Sequence, residues 1–188
     1  MEPVFTIPYP ELVVAESLAR EFPKRDGYSV SLPLSRQQKG FDLLLYRQQS
    51  RKAASIQVKA SRSFSMEQPK DPTTPWCKYV LFFKRLRATP KAADFYIFFG
   101  LYPRRDIVGK PLWRPGTPKA WWRYRLIVFS DSEMQDFLTR VIRDSFFYFG
   151  FNDEEDPHVY LTRGAGERLD YTCNVFSSKC QEIRESVQ

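Results

Sequence analysis

The chain has 188 residues, a net charge of +7 and 16% aromatic residues, which is enough for one domain with a substantial core and suggests a polyanionic partner. Three scattered cysteines and a single histidine, His158 after Pro157, exclude a Cys/His zinc cluster and His-pair chemistry. No apolar run approaches the length of a membrane span, so no membrane association is expected. The odd cysteine count without a recognisable leader points to a reducing, cytoplasmic compartment.

From the N-terminus, residues 6–10 read as an extended lead-in, with Pro10 suited to a first helical turn. Residues 11–22 predict a helix whose apolar face holds Leu12, Ala15, Ala19 and Phe22, ended by Pro23 and Gly27. Glu16 borders that face. Taken alone it is an ordinary solvated helix glutamate, and Glu11 and Glu21 are its rivals for any special role. Residues 28–34 form a first strand, 35–40 a polar turn, and Asp42 stands at the start of a second strand over 41–46. After a polar turn at 48–52, the segment 55–61 returns as a third strand. Ile56, Val58 and Ala60 share one face of it, and Ser55, Gln57, Lys59 and Ser61 the other. Asp42 interrupts an otherwise hydrophobic run, and a half-buried carboxylate there needs a partner. A metal ion with Lys59 nearby would supply one, although Gln57 and Lys59 by themselves are a common solvent-facing strand pattern.

Residues 62–75 read as an irregular loop, 79–87 as a strand that turns basic, and 94–102 as a buried strand. Residues 103–120, with four prolines and two glycines, read as a loop, and 121–129 as a further strand. Ser130 or Asp131 caps a helix running to about Arg143, with Glu133 early in it. Residues 146–151 are short and aromatic, 152–156 an acidic turn, 159–162 a short strand, and the end a frayed tail or a helix. With no internal repeat and no domain boundary, the expectation is one domain over 1–188, its core at about 1–145 and a C-terminal extension at 146–188. Charge is uneven: residues 103–125 hold seven Lys/Arg against one Asp, and 131–156 hold eight acids against two Arg.

A helix bearing a Glu, an Asp at the head of one strand, a hairpin-length gap and Gln-x-Lys on the next strand together resemble the PD-(D/E)xK nuclease superfamily. The form resembled is the variant in which Gln stands for the second acid. That superfamily includes restriction enzymes, resolvases, homing endonucleases and repair nucleases. The resemblance covers residues 10–61 well and the later strands loosely, with Phe41 where the family has Pro. It implies an α/β fold with a restriction-endonuclease-like core, αβββαβ, whose central mixed sheet is flanked by helices. It also implies a Mg²⁺ site, with Mn²⁺ as a substitute. Asp42 would be the central ligand, the Gln57 side-chain oxygen the second, Glu16 a direct or water-mediated ligand, and the Val58 backbone carbonyl the last. Lys59 would orient the attacking water or stabilise developing charge. A neutral amide at position 57 removes one negative charge and should weaken metal binding.

The function implied is a metal-dependent endonuclease on double-stranded DNA, working as a homodimer so that two sites cut two strands. Arg104, Arg105, Lys110, Arg114, Lys119, Arg123 and Arg125, interleaved with Trp113, Trp121, Trp122 and Tyr124, are the expected phosphate and base contacts. Lys84, Arg85 and Arg87 form a second basic group. Two rivals remain: a non-catalytic nucleic-acid-binding module of the same fold, which Gln57 keeps open, and a protein whose aromatic surface docks a partner chain.

Overall fold

In the computed structural model, which describes residues 9–33, 40–66, 77–103, 122–141, 146–152, 156–162 and 168–188, the first helix buries a stripe repeating every fourth residue. Helix α1 (Tyr9–Glu21) turns Val14 and Leu18 inward, with Phe22 following, and Val13, Ala15 and Ser17 flank them. The expected face was rotated from this one: Leu12 and Ala19 are exposed. The branched and larger side chains at 14, 18 and 22 bury more area than the alanines do, and this sets the rotation. A single turn at Lys24–Asp26 closes on Gly27, whose φ of 82° is left-handed.

Three strands then form an antiparallel meander: β1 (Tyr28–Ser31), β2 (Leu43–Arg47) and β3 (Lys52–Ser65). Val30 pairs with Leu45, and Leu43 with Ile56. β5 (Phe95–Pro103) lies parallel to β3, Gln57 against Tyr96 and Lys59 against Phe98, and β6 (Trp122–Ser130) is antiparallel to β5. The first sheet therefore runs β1-β2-β3-β5-β6.

β3 is longer than the sequence suggested. Residues 62–65, read as loop, continue the strand, and Ser63 to Ser65 pair with β4 (Tyr79–Lys84). Hydroxyls replace apolar contacts here: Ser61 Oγ donates to the Phe82 carbonyl at 2.6 Å and Ser63 Oγ to the Leu101 carbonyl. β4 founds a second antiparallel sheet with β7 (Phe146–Phe151), β8 (Val159–Thr162) and β9 (Arg168–Asp170). Helix α2 (Asp131–Arg140) follows β6 directly. The Glu133 carboxylate accepts the Ser130 N–H at 2.9 Å, which caps its start. Helix α3 (Phe176–Ser186) ends the chain.

The first core lies between α1, α3 and one face of the first sheet, and includes Val14, Leu18, Leu43, Ile56, Ile97, Val128, Ile183 and Val187. The second lies between the two sheets and α2. It is largely aromatic, with Tyr79, Phe83, Tyr96, Phe98, Phe129, Phe137, Phe147, Phe149 and Phe151. Residues 146–188, expected as an extension, supply β7, β8 and α3 to these cores. Among the described residues the cysteines form no disulfide, and burial pushes the Cys180 thiol up to about 11.

The fold is mixed α/β, with α1, the meander and a strand parallel to β3 in the expected order. The helix expected between the third and fourth core strands is not among the described residues. β4 stands in that connection instead, and α2 and α3 come after β6. A parallel pair needs a long crossover, and here the crossover carries a strand of another sheet. Gly100 makes room for it: a Cβ there would stand 2.2 Å from Cδ2 of the fully buried Leu81. Gly100→Ala should therefore cost about 1–3 kcal/mol, read as a lowered melting temperature. An unchanged melting temperature would show that Leu81 has room to move.

Candidate active site

Side-chain alternation along β3 decides what can meet on it. Ala54, Ile56 and Val58 face the first core, so Gln57 and Lys59 face the opposite side, where Tyr96 and Phe98 stand. Leu43 is paired with Ile56 and shares its face. Asp42, one residue before Leu43 and across from Gln57, therefore belongs to the Gln57–Lys59 face.

Asp42 departs from the regular ladder. Its N–H donates to the Ile56 carbonyl at 2.8 Å, and its Oδ2 accepts the Val58 N–H at 2.7 Å. A side-chain oxygen thus takes the place of a strand carbonyl and fixes the carboxylate against β3. The N–H and C=O of one strand residue point to the same edge, so the Val58 carbonyl lies on the Asp42 edge. Ladder pairing with β2 stops at Ile56 and pairing with β4 begins at Ser63; between them, residues 57–62 pair with β5 alone. The cluster sits in this fork.

Lys59 is half-buried. Burial lowers its pKa from the ordinary lysine value, and the facing Asp42 carboxylate opposes that shift. Gln57 is half-buried on the same face, across from Asp42 and two residues from Lys59.

Glu16 is not brought to this cluster. It lies two residues from both Val14 and Leu18, about 160° away from each on a helix of 3.6 residues per turn, and it is exposed. In addition, α1 packs on the Ile56–Val58 side of the sheet, the reverse of the Gln57–Lys59 face. Of its rivals, Glu21 bonds Arg184 Nη2 at 3.3 Å and Glu11 is half-buried. Among the described residues no three His, Cys, Asp or Glu side chains converge to hold a metal ion. The oxygen donors that the fold sets at this fork are the Asp42 carboxylate, on the face it shares with Gln57, and the Val58 carbonyl on the same strand edge.

The sequence reading missed Asp94. Its Oδ2 accepts both the N–H and the Oγ–H of Ser55, each at 2.7 Å, and its own N–H donates to the Ser55 carbonyl at 2.9 Å. This clasp fixes the start of the parallel β3–β5 pairing. Its signal was an Asp just before a continuous apolar run, with Ser-x-Gln-x-Lys on the partner strand.

Of the expected nucleic-acid contacts, Arg104, Arg105, Lys110, Arg114, Lys119, Trp113 and Trp121 lie outside the described residues. Arg125 is buried: its Nη2 donates to the Asp156 carbonyl at 3.0 Å and its guanidinium lies 5.4 Å from the Phe151 ring centre, so it holds β6 rather than a ligand. Tyr124 is likewise structural, stacked on Phe99 and within 3.1 Å of the Ser17 hydroxyl. Arg123 is half-buried, whereas Lys84, Arg85 and Arg87 are exposed. His158 bonds Asp156 at 2.6 Å and stacks on Tyr160, a surface role. No helix of the described residues is long and apolar enough to cross a membrane.

No family model matches the chain, and neither a curated protein nor a solved structure matches it.

Proposed function

We propose that the chain is a metal-dependent nuclease of the restriction-endonuclease-like kind, hydrolysing phosphodiester bonds of DNA at the Asp42–Gln57–Lys59 cluster. The observation that carries this reading is the Asp42 carboxylate, held by the Val58 N–H at 2.7 Å in the strand fork, with Lys59 answering its charge on the same face. The donors there are all hard oxygens, which suit Mg²⁺ or Mn²⁺. Asp42, the Gln57 side-chain oxygen and the Val58 carbonyl would hold the ion. A bound ion would make its water more acidic and polarise the phosphoryl oxygen. Asp42 fixes the position of the site, and Gln57 orients through its amide. Lys59 places a positive charge where negative charge develops on the phosphate. Double-strand cutting would call for a twofold assembly, visible as a dimer mass in sedimentation.

The second reading is a nucleic-acid-binding module without hydrolysis. It is favoured by one observation: the cluster holds a single carboxylate, because Glu16 points away. Incubating supercoiled plasmid with the protein, with Mg²⁺, with Mn²⁺ and with chelator, separates the two. Nicking that needs metal supports the nuclease. Binding without nicking in every condition, together with no heat on metal titration, selects the module.

Gln57→Glu adds a second carboxylate beside Asp42. Calorimetry should show Mg²⁺ binding at least about tenfold tighter, in keeping with charge count as a determinant of affinity for hard cations. Unchanged affinity would remove position 57 from the ligand set.

A further inference from the structure

Away from the Asp42 cluster, the second sheet carries aromatic rings on both faces. Leu81, Phe83, Phe147 and Phe149 point into the second core. Alternation then sends Phe82, Phe146 and Tyr148 to the outer face. Pairing sets Phe82 beside Tyr148 and Lys84 beside Phe146. The three rings contact one another, with centres 5.3 Å apart for Phe82–Tyr148, 5.6 Å for Phe146–Tyr148 and 5.9 Å for Phe82–Phe146. Phe146 is 46% exposed, and Phe64, on the same outer face at the β3 edge, is 54% exposed. Phe82 and Tyr148 are half-buried beneath this cluster. Inward packing does not account for the exposure of Phe146 and Phe64, and an apolar cluster left open in this way marks an interaction site.

The charge around the rings indicates the occupant. Lys84 ends β4 on this face and Arg85 follows it, both exposed, whereas Arg87, also exposed, borders Gln135 and Leu138 of α2. Residues 78–91 hold five Lys/Arg and no acid. The Asp170 carboxylate lies on the far edge strand β9, and Asp156, bonded to Asn152 after β7, lies at the Tyr79 end of β4, away from Lys84. Adjacent aromatic rings with cations along one border match a chain of flat, unpaired bases joined by phosphates: the rings stack on the bases and the cations track the backbone. A duplex offers no free base faces to such rings.

We propose that the outer face of β4 and β7 binds unpaired bases of a nucleic-acid strand, stacked on Phe82, Phe146 and Tyr148, with its phosphates along Lys84 and Arg85. This deepens the nuclease reading by naming single-stranded segments as part of what the protein engages. It rests on that reading only for the polymer class, not for the metal chemistry.

The test is fluorescence anisotropy of a labelled 20-nucleotide oligothymidylate and of a duplex of equal length, with chelator present, on the full chain. Wild type should bind the single strand more tightly than the duplex. Phe146→Ala with Tyr148→Ala should weaken single-strand binding by roughly tenfold or more, whereas Phe146→Trp should keep it. Lys84→Ala should flatten the salt dependence by about one unit of slope. Gln181→Ala, exposed on α3 away from both surfaces, should leave binding unchanged. Because binding is read in chelator while nicking needs metal, a dead metal site and a failed platform give different patterns. Should the double variant fold poorly, ultraviolet crosslinking of a 5-iodouracil strand to wild type must place adducts on Phe82, Phe146 or Tyr148. Single-strand affinity that is absent in wild type or equal in the platform variants overturns the proposal, as do crosslinks mapped elsewhere. So does a dimer that dissociates in the double variant while single-strand binding stays unchanged, because the face then belongs to a second copy.

Discussion

Asp42→Ala should reduce metal-dependent cleavage to the chelator background, a loss of at least about a thousandfold, and abolish the heat of metal binding. The variant also leaves the Val58 N–H without its acceptor, at a cost of about 1–3 kcal/mol. Asp42→Asn separates the two effects. Its amide oxygen still accepts the Val58 N–H, so stability should recover while cleavage stays lost. Lys59→Ala should leave metal binding near wild type, because an ammonium is no ligand, and lower the rate by about 10²–10³-fold. Plasmid nicking, calorimetry and urea melts on all four proteins make the comparison. Wild-type cleavage that Asp42→Asn does not reduce would sink the site assignment.

The lysine carries a pH signature. Its folded pKa is lowered, chiefly by burial, so between the folded and unfolded values the unfolded chain binds more protons. Stability then rises with pH across that window, and below it the buried ammonium is a standing cost. Lys59→Met should therefore be as stable as wild type or more so at neutral pH, while losing activity. If the ammonium serves the reaction, the rate should fall on the alkaline side at lower pH than an ordinary lysine would give, and that limb should vanish in Lys59→Met.

Asp42, Gln57 and Lys59 were legible because a strand has period two. Once Ile56 and Val58 are assigned inward, the polar residues between them have one face left, and hairpin pairing puts Asp42 on it. Glu16 was not legible for the opposite reason. On α1 two stripes compete, one through Leu12, Ala15 and Ala19 and one through Val14 and Leu18, and only packing against Ile56 and Val58 selects the second. A rotation of that size carries Glu16 from the border of the buried face to its far side. The second sheet was obscured by its own composition. Residues 79–83 and 146–151 are almost wholly apolar, so neither shows an alternation from which to read a face. Arg62-Ser63-Phe64-Ser65 reads as loop because its serines carry no strand signal; the Ser63 hydroxyl bonds the Leu101 carbonyl of β5, a partnership with no sequence signature. Helix α3 was ambiguous because its inward residues, Cys180, Ile183 and Val187, are few and spaced among polar ones.

Phe98→Ala is expected to be the most destabilising single change on the sheet face that carries Lys59. Phe98 has no exposed surface and stands opposite Lys59 in the parallel register. Its ring centre lies 4.9 Å from Phe83, 5.3 Å from Phe149, 5.5 Å from Phe129, 6.3 Å from Phe137 and 6.4 Å from Phe147. These partners come from β4, β7, β6 and α2, so one ring joins the first sheet to the second sheet and to the helix. Truncation would leave a cavity that five rigid rings cannot collapse to fill, which places the cost at the upper end of about 3–5 kcal/mol. Against a total of about 5–15 kcal/mol for a domain, that removes a large fraction of the stability. Phe98→Leu keeps most of the volume and should cost less than half as much. Phe146→Ala, on the exposed outer face, should stay within about 0.5 kcal/mol of wild type. Urea unfolding of the three variants gives the comparison through the transition midpoint. If both sheets unfold together, Phe98→Ala lowers the midpoint and leaves the slope unchanged. A cost below about 1 kcal/mol would mean that the second sheet is not packed on the first through this ring.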